Sequence, residues 1–163
     1  MLKQSTLEMK KTGDNFKNQK HIAVAGVSRT KGKWGNALMK ELDKVEITTY
    51  PVNPHADEID GKKCYNDLKS LPAEVKSLII STKPEATLQL VKDAIDAGIE
   101  RVWLQKGVGK GSATDEAIEY CKENNLDYVY GLCPMMEFGS GMHKFHYWMR
   151  RNLGSMPKEM KMA

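Results

Sequence analysis

The chain has 163 residues, of which 40% are hydrophobic, and a formal net charge of +4. This length predicts one domain with a proper core and no separate catalytic domain. The positive excess lies at the two ends: residues 1–20 hold five Lys against two acids, and residues 143–163 hold five basic groups against one acid. The middle of the chain is slightly acidic, so the charge pattern predicts no nucleic-acid partner.

Cysteine use and hydropathy indicate the compartment. Cys64, Cys121 and Cys133 are widely spaced and include no CxxC pair, which predicts reduced thiols in a cytoplasmic protein, with no disulfide and no metal. No apolar run approaches the ~20 residues of a membrane span, and the first ten residues lack a signal-peptide core. We therefore expect no membrane association.

The first part of the domain predicts a strand, a loop and a helix. Small and β-branched apolar residues at 22–25 end at Gly26, and a helical apolar period follows over 34–43. Gly26 lets the backbone turn sharply out of a buried strand, and Gly35 leaves room for a phosphate to approach the start of the helix. This pattern is typical of a phosphate-binding loop. Residues 1–19 are an N-terminal arm, either a short helix packed on the domain or a mobile segment.

The loop differs from the usual dinucleotide fingerprint. A strict G-x-G-x-x-G is absent, and Arg29, Lys31 and Lys33 crowd the loop. The second strand ends in Tyr50-Pro51-Val52-Asn53-Pro54, which lacks the carboxylate that many NAD-binding folds use to hold the ribose. These features favour a ligand with more negative charge than NAD.

The rest of the chain alternates strands and helices. We predict strands at 46–52, 75–82, 101–105 and 127–130, short extended pieces around an Asp60-Gly61 turn, helices at 66–71, 84–98 and 114–124, and an amphipathic helix within 135–151. Such alternation predicts a Rossmann-like, doubly wound α/β domain over residues 20–138, with a mainly parallel five-stranded sheet and helices on both faces. Residues 139–163 are the C-terminal helix and a flexible tail.

Several ordered motifs carry a family resemblance. They are the run 22–35, Tyr50-Pro51-Val52-Asn53-Pro54, Ser81-Thr82-Lys83-Pro84-Glu85, Val102-Trp103-Leu104-Gln105 and Cys133-Pro134. Together they resemble the small single-domain CoA-binding proteins, which are similar to the nucleotide-binding domain of the succinyl-CoA synthetase α subunit. The phosphorylated histidine of the synthetases lies in a second domain, so the resemblance implies no ligase chemistry here.

The resemblance also implies a set of binding residues. The phosphates lie among Gly26, Val27, Ser28, Arg29, Lys33, Trp34 and Gly35, with the Ser28 hydroxyl as a donor. Val52, Asn53 and Pro54 flank the ribose and the 3′-phosphate, whereas Ser81, Thr82, Lys83 and Pro84 border the adenine. Gln105 and Trp103 lie toward the pantetheine or serve as ordinary core and edge residues. The alternative for the two glycines is a turn without a ligand.

The sequence therefore predicts a CoA or acyl-CoA binder without catalytic machinery, since no Ser-His-Asp set or carboxylate pair is recognisable. An NAD(P)-binding redox sensor or oxidoreductase, and a protein-interaction subunit with an empty crevice, are the alternatives. A second copy of the chain and an acyl-CoA enzyme are the expected protein partners. Cys133 is interpreted as a buried structural thiol, the alternative being a thiol that faces the CoA sulfur. His143 and His146, spaced i, i+3, are interpreted as residues of an exposed helix; the alternative, a metal site, has no third ligand spaced with them.

Overall fold

The computed structural model of the chain describes residues 6–105 and 111–138. Seven strands are present: β1 (His21–Ala25), β2 (Thr48–Val52), β3 (Glu58–Ile59), β4 (Lys62–Lys63), β5 (Ser77–Ile80), β6 (Arg101–Leu104) and β7 (Asp127–Tyr130). Five of them form one sheet in the order β2-β1-β5-β6-β7, and every neighbouring pair in it is parallel. The predicted five-stranded, doubly wound α/β fold is confirmed.

The sheet is covered by helices on both faces. The helices are α1 (Thr6–Lys17), α2 (Trp34–Lys44), α3 (Pro84–Asp96), α4 (Asp115–Glu123) and α5 (Pro134–Phe138). Alternate strand residues contribute to two separate cores, one packed against α3 and α4 and the other against α1, α2 and α5. Both faces of the central strands are thus buried, which explains the continuous apolar run Leu78-Ile79-Ile80.

The N-terminal segment adopts the helical alternative. Phe16 of α1 is fully buried, and its ring packs edge-on against Trp103 with the centroids 5.4 Å apart. Lys17 forms an ion pair with Glu137 of α5. The helix α1 therefore completes one face of the sheet.

Most predicted element positions agree with the structure. Pro84 opens α3 at its first turn, and the Thr114 hydroxyl caps α4 by accepting from the Ala117 N–H at 3.2 Å. Asp60 and Gly61 form the turn of the β3–β4 hairpin, as expected.

Some predicted elements differ. The helix expected at 66–71 is wrong: the Asp67 carboxylate accepts from the Ser70 N–H at 2.8 Å and closes a single turn, and Pro72 follows it. The second and third main strands are shorter than predicted and span only Thr48–Val52 and Ser77–Ile80. Beyond α5, the predicted amphipathic helix with His143 and His146 lies outside the described residues.

Membrane insertion can be judged only for the helices that the structure describes. Among these, none combines the length and the apolar composition that crossing a bilayer requires.

Candidate functional site

The carboxyl ends of β1 and β5 lie side by side where the strand order reverses. After β1 the chain passes to β2 on one side, and after β2 it returns to β5 on the other. In open parallel sheets, ligands bind in the crevice outside this reversal. The loops that follow β1, β2 and β5 therefore form the candidate site.

The turn at Gly26 brings two of these loops into contact. Gly26 has a φ of +97°, a conformation that residues with a side chain rarely adopt. A Cβ atom added at this position would lie 2.5 Å from the carbonyl carbon of Ser81. The backbone after β1 thus rests directly on the backbone after β5, and only glycine permits this approach.

Gly35, at the start of α2, lies against protein backbone, where the sequence analysis expected a phosphate. A Cβ atom there would lie 2.6 Å from the Gly26 carbonyl oxygen and 3.2 Å from the Val27 nitrogen. Protein backbone fills the space beside Gly35, so close packing of α2 on the turn after β1 accounts for the glycine.

Residues 26–35, which we call the glycine loop, are held by a buried side chain. Asn36 is 3% exposed; its Oδ1 accepts from the Ser28 N–H at 2.9 Å, and its Nδ2 donates to the Ser28 carbonyl at 2.7 Å. The Ser28 hydroxyl oxygen accepts from the Thr30 N–H at 3.1 Å, which leaves the hydroxyl proton available for donation. The predicted donor role of Ser28 is compatible with this geometry.

The glycine loop is a positive surface. Arg29, Lys31 and Lys33 are all exposed, and the first turn of α2 contains no acidic residue. The N-cap position of α2 is Lys33, whose side chain makes no capping hydrogen bond within the described structure. The helix N-terminus and three cations therefore favour an anion beside this loop. Trp34 is half-buried and packs on the face formed by α1, α2 and α5.

The second wall of the crevice begins at Asn53, after β2. Its Nδ2 donates to the Val27 carbonyl at 2.9 Å, and its Oδ1 accepts from the His55 N–H at 2.8 Å. Behind it, the Cys64 thiol lies 3.8 Å from the Asn53 carbonyl oxygen, and burial raises the pKa of this thiol. Asn53 thus connects the second wall to the glycine loop.

A cavity of about 660 Å³ opens between these walls, a size typical of small-molecule sites. Six of the predicted binding residues line it: Gly26, Val27, Val52, Asn53, Pro54 and Thr82. The other predicted residues are not among those that line it: Ser28, Arg29, Lys33, Trp34, Gly35, Ser81, Lys83, Pro84 and Gln105.

Sequence reasoning missed the far side of this cavity. The additional lining residues are Ala25, His55, Asn66, Asp67, Leu68, Lys69, Ala86, Leu90 and Asp93. Three of them, Ala86, Leu90 and Asp93, follow the i, i+4, i+7 spacing of one helical face on α3, a signal that the sequence contains. His55 directly follows the predicted Pro54.

Thr82 lines the cavity and ties two loops together. Its carbonyl accepts from the Ser112 hydroxyl at 2.7 Å, which connects the loop after β5 to the segment before α4. Its own hydroxyl oxygen is buried and has no hydrogen-bond partner among residues 6–105 and 111–138.

The residues near the pantetheine in the sequence analysis are core residues. Trp103 is 1% exposed, and its Nε1 donates to the Leu132 carbonyl at 3.2 Å. Gln105 is buried, and its backbone bonds Ile80 and Ser112. Cys133 is buried too, in agreement with its interpretation as a structural thiol.

Comparison with known families identifies the matched region. A family model described as the CoA binding domain matches residues 20–139. The chain is 39% identical over 118 residues to an ADP-forming acetate–CoA ligase of Methanocaldococcus jannaschii, covering 70% of this chain and 17% of that protein. It is 32% identical over 121 residues to the α subunit of ADP-forming acetate–CoA ligase II of Pyrococcus furiosus, covering 73% of this chain and 26% of that subunit.

A solved structure has a similar fold and a similar size. It is a conserved hypothetical protein from Pyrococcus furiosus, 33% identical, with a TM-score of 0.67, and the alignment covers 72% of this chain and 98% of that one. By contrast, the chain spans only about a quarter or less of the length of the two ligase relatives.

Proposed function

Because the chain belongs to the family of CoA-binding domains, we propose that it binds coenzyme A, free or as a thioester, in the crevice between β1 and β5. The observation that carries the proposal is the 660 Å³ cavity at this strand reversal, bordered by a positive glycine loop. CoA offers matching parts: a flat base for an apolar cavity, and three phosphates for cations and free N–H groups.

The glycine loop is suited to the diphosphate. Exposed Arg29 and Lys33 supply positive charge, and the Ser28 hydroxyl has a proton to donate. The start of α2 adds backbone N–H groups, which carry the positive end of the helix dipole. These groups bind oxyanions without requiring any particular base.

The cavity itself is suited to the nucleoside. Ala86 and Leu90 of α3 and Leu68 of the opposite wall offer apolar surface for a purine ring. Lys69 also lines the cavity and supplies a cationic group for the 3′-phosphate, and the His55 imidazole adds a hydrogen-bonding ring N–H.

Direct titration tests this proposal. We would measure the binding of CoA, acetyl-CoA, dephospho-CoA, NAD and NADP by calorimetry at fixed salt, and we expect micromolar binding of CoA with much weaker binding of NAD and NADP. The variant Ala86→Trp fills the cavity and should weaken CoA by at least about tenfold. Ala73→Trp is the matched control, because Ala73 is exposed and does not line the cavity.

Three results would contradict the proposal. If the wild-type protein binds no CoA, the proposed function is wrong. If it binds NADP in preference to CoA, a redox role is indicated instead. Unchanged CoA affinity in Ala86→Trp moves the site elsewhere.

We also propose that the chain carries the CoA ester and leaves bond-forming chemistry to a partner enzyme. Two observations support this: the matched ligases are several times longer than the matched segment, and Cys64 and Cys121 are buried thiols with raised pKa values. Incubation with acetyl-CoA should release no free thiol above the buffer rate. Sustained thiol release by the purified protein would instead establish a thioesterase or transferase activity.

A further inference from the structure

The side chain of Asn36, directly after the glycine loop, holds this loop by hydrogen bonds. It forms two hydrogen bonds with the backbone of Ser28, one in each direction, and a third from Nδ2 to the Asp60 carboxylate at 3.1 Å. Because the pair of bonds to Ser28 resembles a ladder between two strands, it fixes the Ser28 peptide groups in both position and orientation. The loop that follows depends on this anchor.

Asp60 adds a second acceptor on the Nδ2 side of the Asn36 amide. With the observed orientation, Nδ2 faces two acceptors, the Ser28 carbonyl and the Asp60 carboxylate, and Oδ1 faces the Ser28 N–H. Rotating the amide by half a turn would place Oδ1 against both acceptors and Nδ2 against a donor. The carboxylate therefore favours the one orientation that holds Ser28.

The β3–β4 hairpin brings Asp60 to this place. Asp60 has a φ of +51°, in the left-handed region that few residues with side chains occupy, and Gly61 follows with +77°. Lys62, two residues after Asp60, attaches the hairpin to α2 as well, because its ammonium lies 2.6 Å from the Asp43 carboxylate. The hairpin is thus held to α2 at two points, Asn36 and Asp43.

Within residues 6–105 and 111–138, the hydrogen bond to Asn36 links Asp60 to the glycine loop. It is not among the residues that line the cavity, and its own ion pair is with Lys40 of α2, at 3.9 Å. Its negative charge offers nothing to a phosphate. A direct contribution to anion binding is therefore the wrong explanation for an acid at this position.

From this geometry we propose that Asp60 is a positioning residue: it fixes the amide orientation of Asn36, and Asn36 in turn presents the Ser28 backbone and hydroxyl for anion binding. The effect of Asp60 on ligand affinity rests on the proposed function, whereas its effect on the Ser28 peptide group does not. The role requires a hydrogen-bond acceptor at position 60 and no negative charge.

Two substitutions separate this role from the strain of the turn. Asp60→Gly suits the positive φ and removes the acceptor, whereas Asp60→Asn also tolerates this φ and keeps an acceptor without the charge. We would compare amide hydrogen exchange at Ser28 by NMR in the two variants and the wild type. The Ala117 amide, bonded to the Thr114 hydroxyl of α4, is the internal reference. CoA affinity and thermal stability would be measured on the same samples.

We expect Asp60→Gly to speed exchange at Ser28 and to weaken CoA, each by about tenfold, with the Ala117 amide unchanged and the fold intact. Asp60→Asn should behave like the wild type in both measurements. Unchanged Ser28 exchange in Asp60→Gly overturns the proposal. An equal loss of Ser28 protection and CoA affinity in both variants also overturns it, because the negative charge of Asp60 would then be the cause. If the wild type binds no CoA, the proposed function fails, while the exchange data still decide the role of Asp60.

Discussion

The side-chain Nδ2 of Asn53 donates to the carbonyl oxygen of Val27 at 2.9 Å, and this bond joins the wall after β2 to the glycine loop. Asn53 is also held through its Oδ1, which accepts from the His55 N–H, and through its backbone N–H, which donates to Tyr65. A carboxylate at this position would have no proton for the Val27 carbonyl. The hydrogen bond to Val27 therefore requires an amide at position 53, which gives a second reason why no acidic residue stands there.

The variant Asn53→Asp tests this requirement. It places a carboxylate oxygen against the Val27 carbonyl and should lower the free energy of unfolding by about 1–3 kcal/mol. It should gain no measurable NAD binding, because the new carboxylate is held in the loop. Asn18→Asp is the matched control: Asn18 is exposed and does not line the cavity, and its loss should stay within about 0.5 kcal/mol in denaturant unfolding. Equal stability of the two variants would contradict the prediction.

Two helical glycines in different surroundings give a second prediction. A Cβ at Gly35 would lie 2.6 Å from the Gly26 carbonyl oxygen, whereas one at Gly13 of α1 would meet nothing within 4 Å. We expect Gly35→Ala to destabilise the protein by about 2 kcal/mol or more, since backbone must move, and Gly13→Ala to stabilise it by about 0.5–1 kcal/mol. Denaturant unfolding of both variants measures the difference. If Gly35→Ala lost ligand affinity at full stability, the glycine would serve a phosphate instead.

The fold could be predicted from the sequence because its signals are local. The turn at Gly26, the proline at the start of α3 and the buried run Leu78-Ile79-Ile80 each depend on the chain's own backbone or on burial of both faces. Since parallel strands end at the same edge, the loops after β1, β2 and β5 could also be assigned to one crevice.

The far wall of the cavity could not be predicted in the same way. Ala86 and Leu90 belong to the apolar stripe of α3, but Thr87, Val91 and Ala94 are the residues buried against the sheet. Hydrophobicity alone does not distinguish a face that lines a cavity from one that packs in a core, because both are apolar.

The buried thiol of Cys121 gives a prediction about pH. Burial raises the pKa of this thiol from 9.0 to about 12, so the folded state keeps a proton that the unfolded chain releases above pH 9. The contribution of this thiol to the free energy of unfolding is therefore fully present below pH 9, and it is lost as the pH rises toward 12. Between pH 9 and about 10.5, the thiol should account for a loss of about 1.5 kcal/mol.

The variant Cys121→Ala isolates this contribution. It is less stable at pH 8 because it leaves a small cavity, but its unfolding free energy should fall less steeply over the same pH range. The difference between the two slopes, measured by urea unfolding at each pH, is the quantity of interest. Parallel curves for wild type and variant would show that Cys121 ionises normally in the folded protein.

If the chain binds CoA as proposed, we expect the cations around the crevice to divide between its phosphates. Lys33 stands at the start of α2, at the end of the glycine loop, whereas Lys69 lines the cavity. We expect Lys33→Ala to weaken CoA and dephospho-CoA by a similar factor of about three to ten, as a contact to the diphosphate would. Lys69→Ala should weaken the binding of CoA more than that of dephospho-CoA, because only CoA has the 3′-phosphate.

Calorimetry at two salt concentrations measures both effects, which should shrink at high salt. Lys122→Ala, an exposed position on α4, should change neither affinity. A selective loss of CoA in Lys33→Ala would place Lys33 at the 3′-phosphate instead.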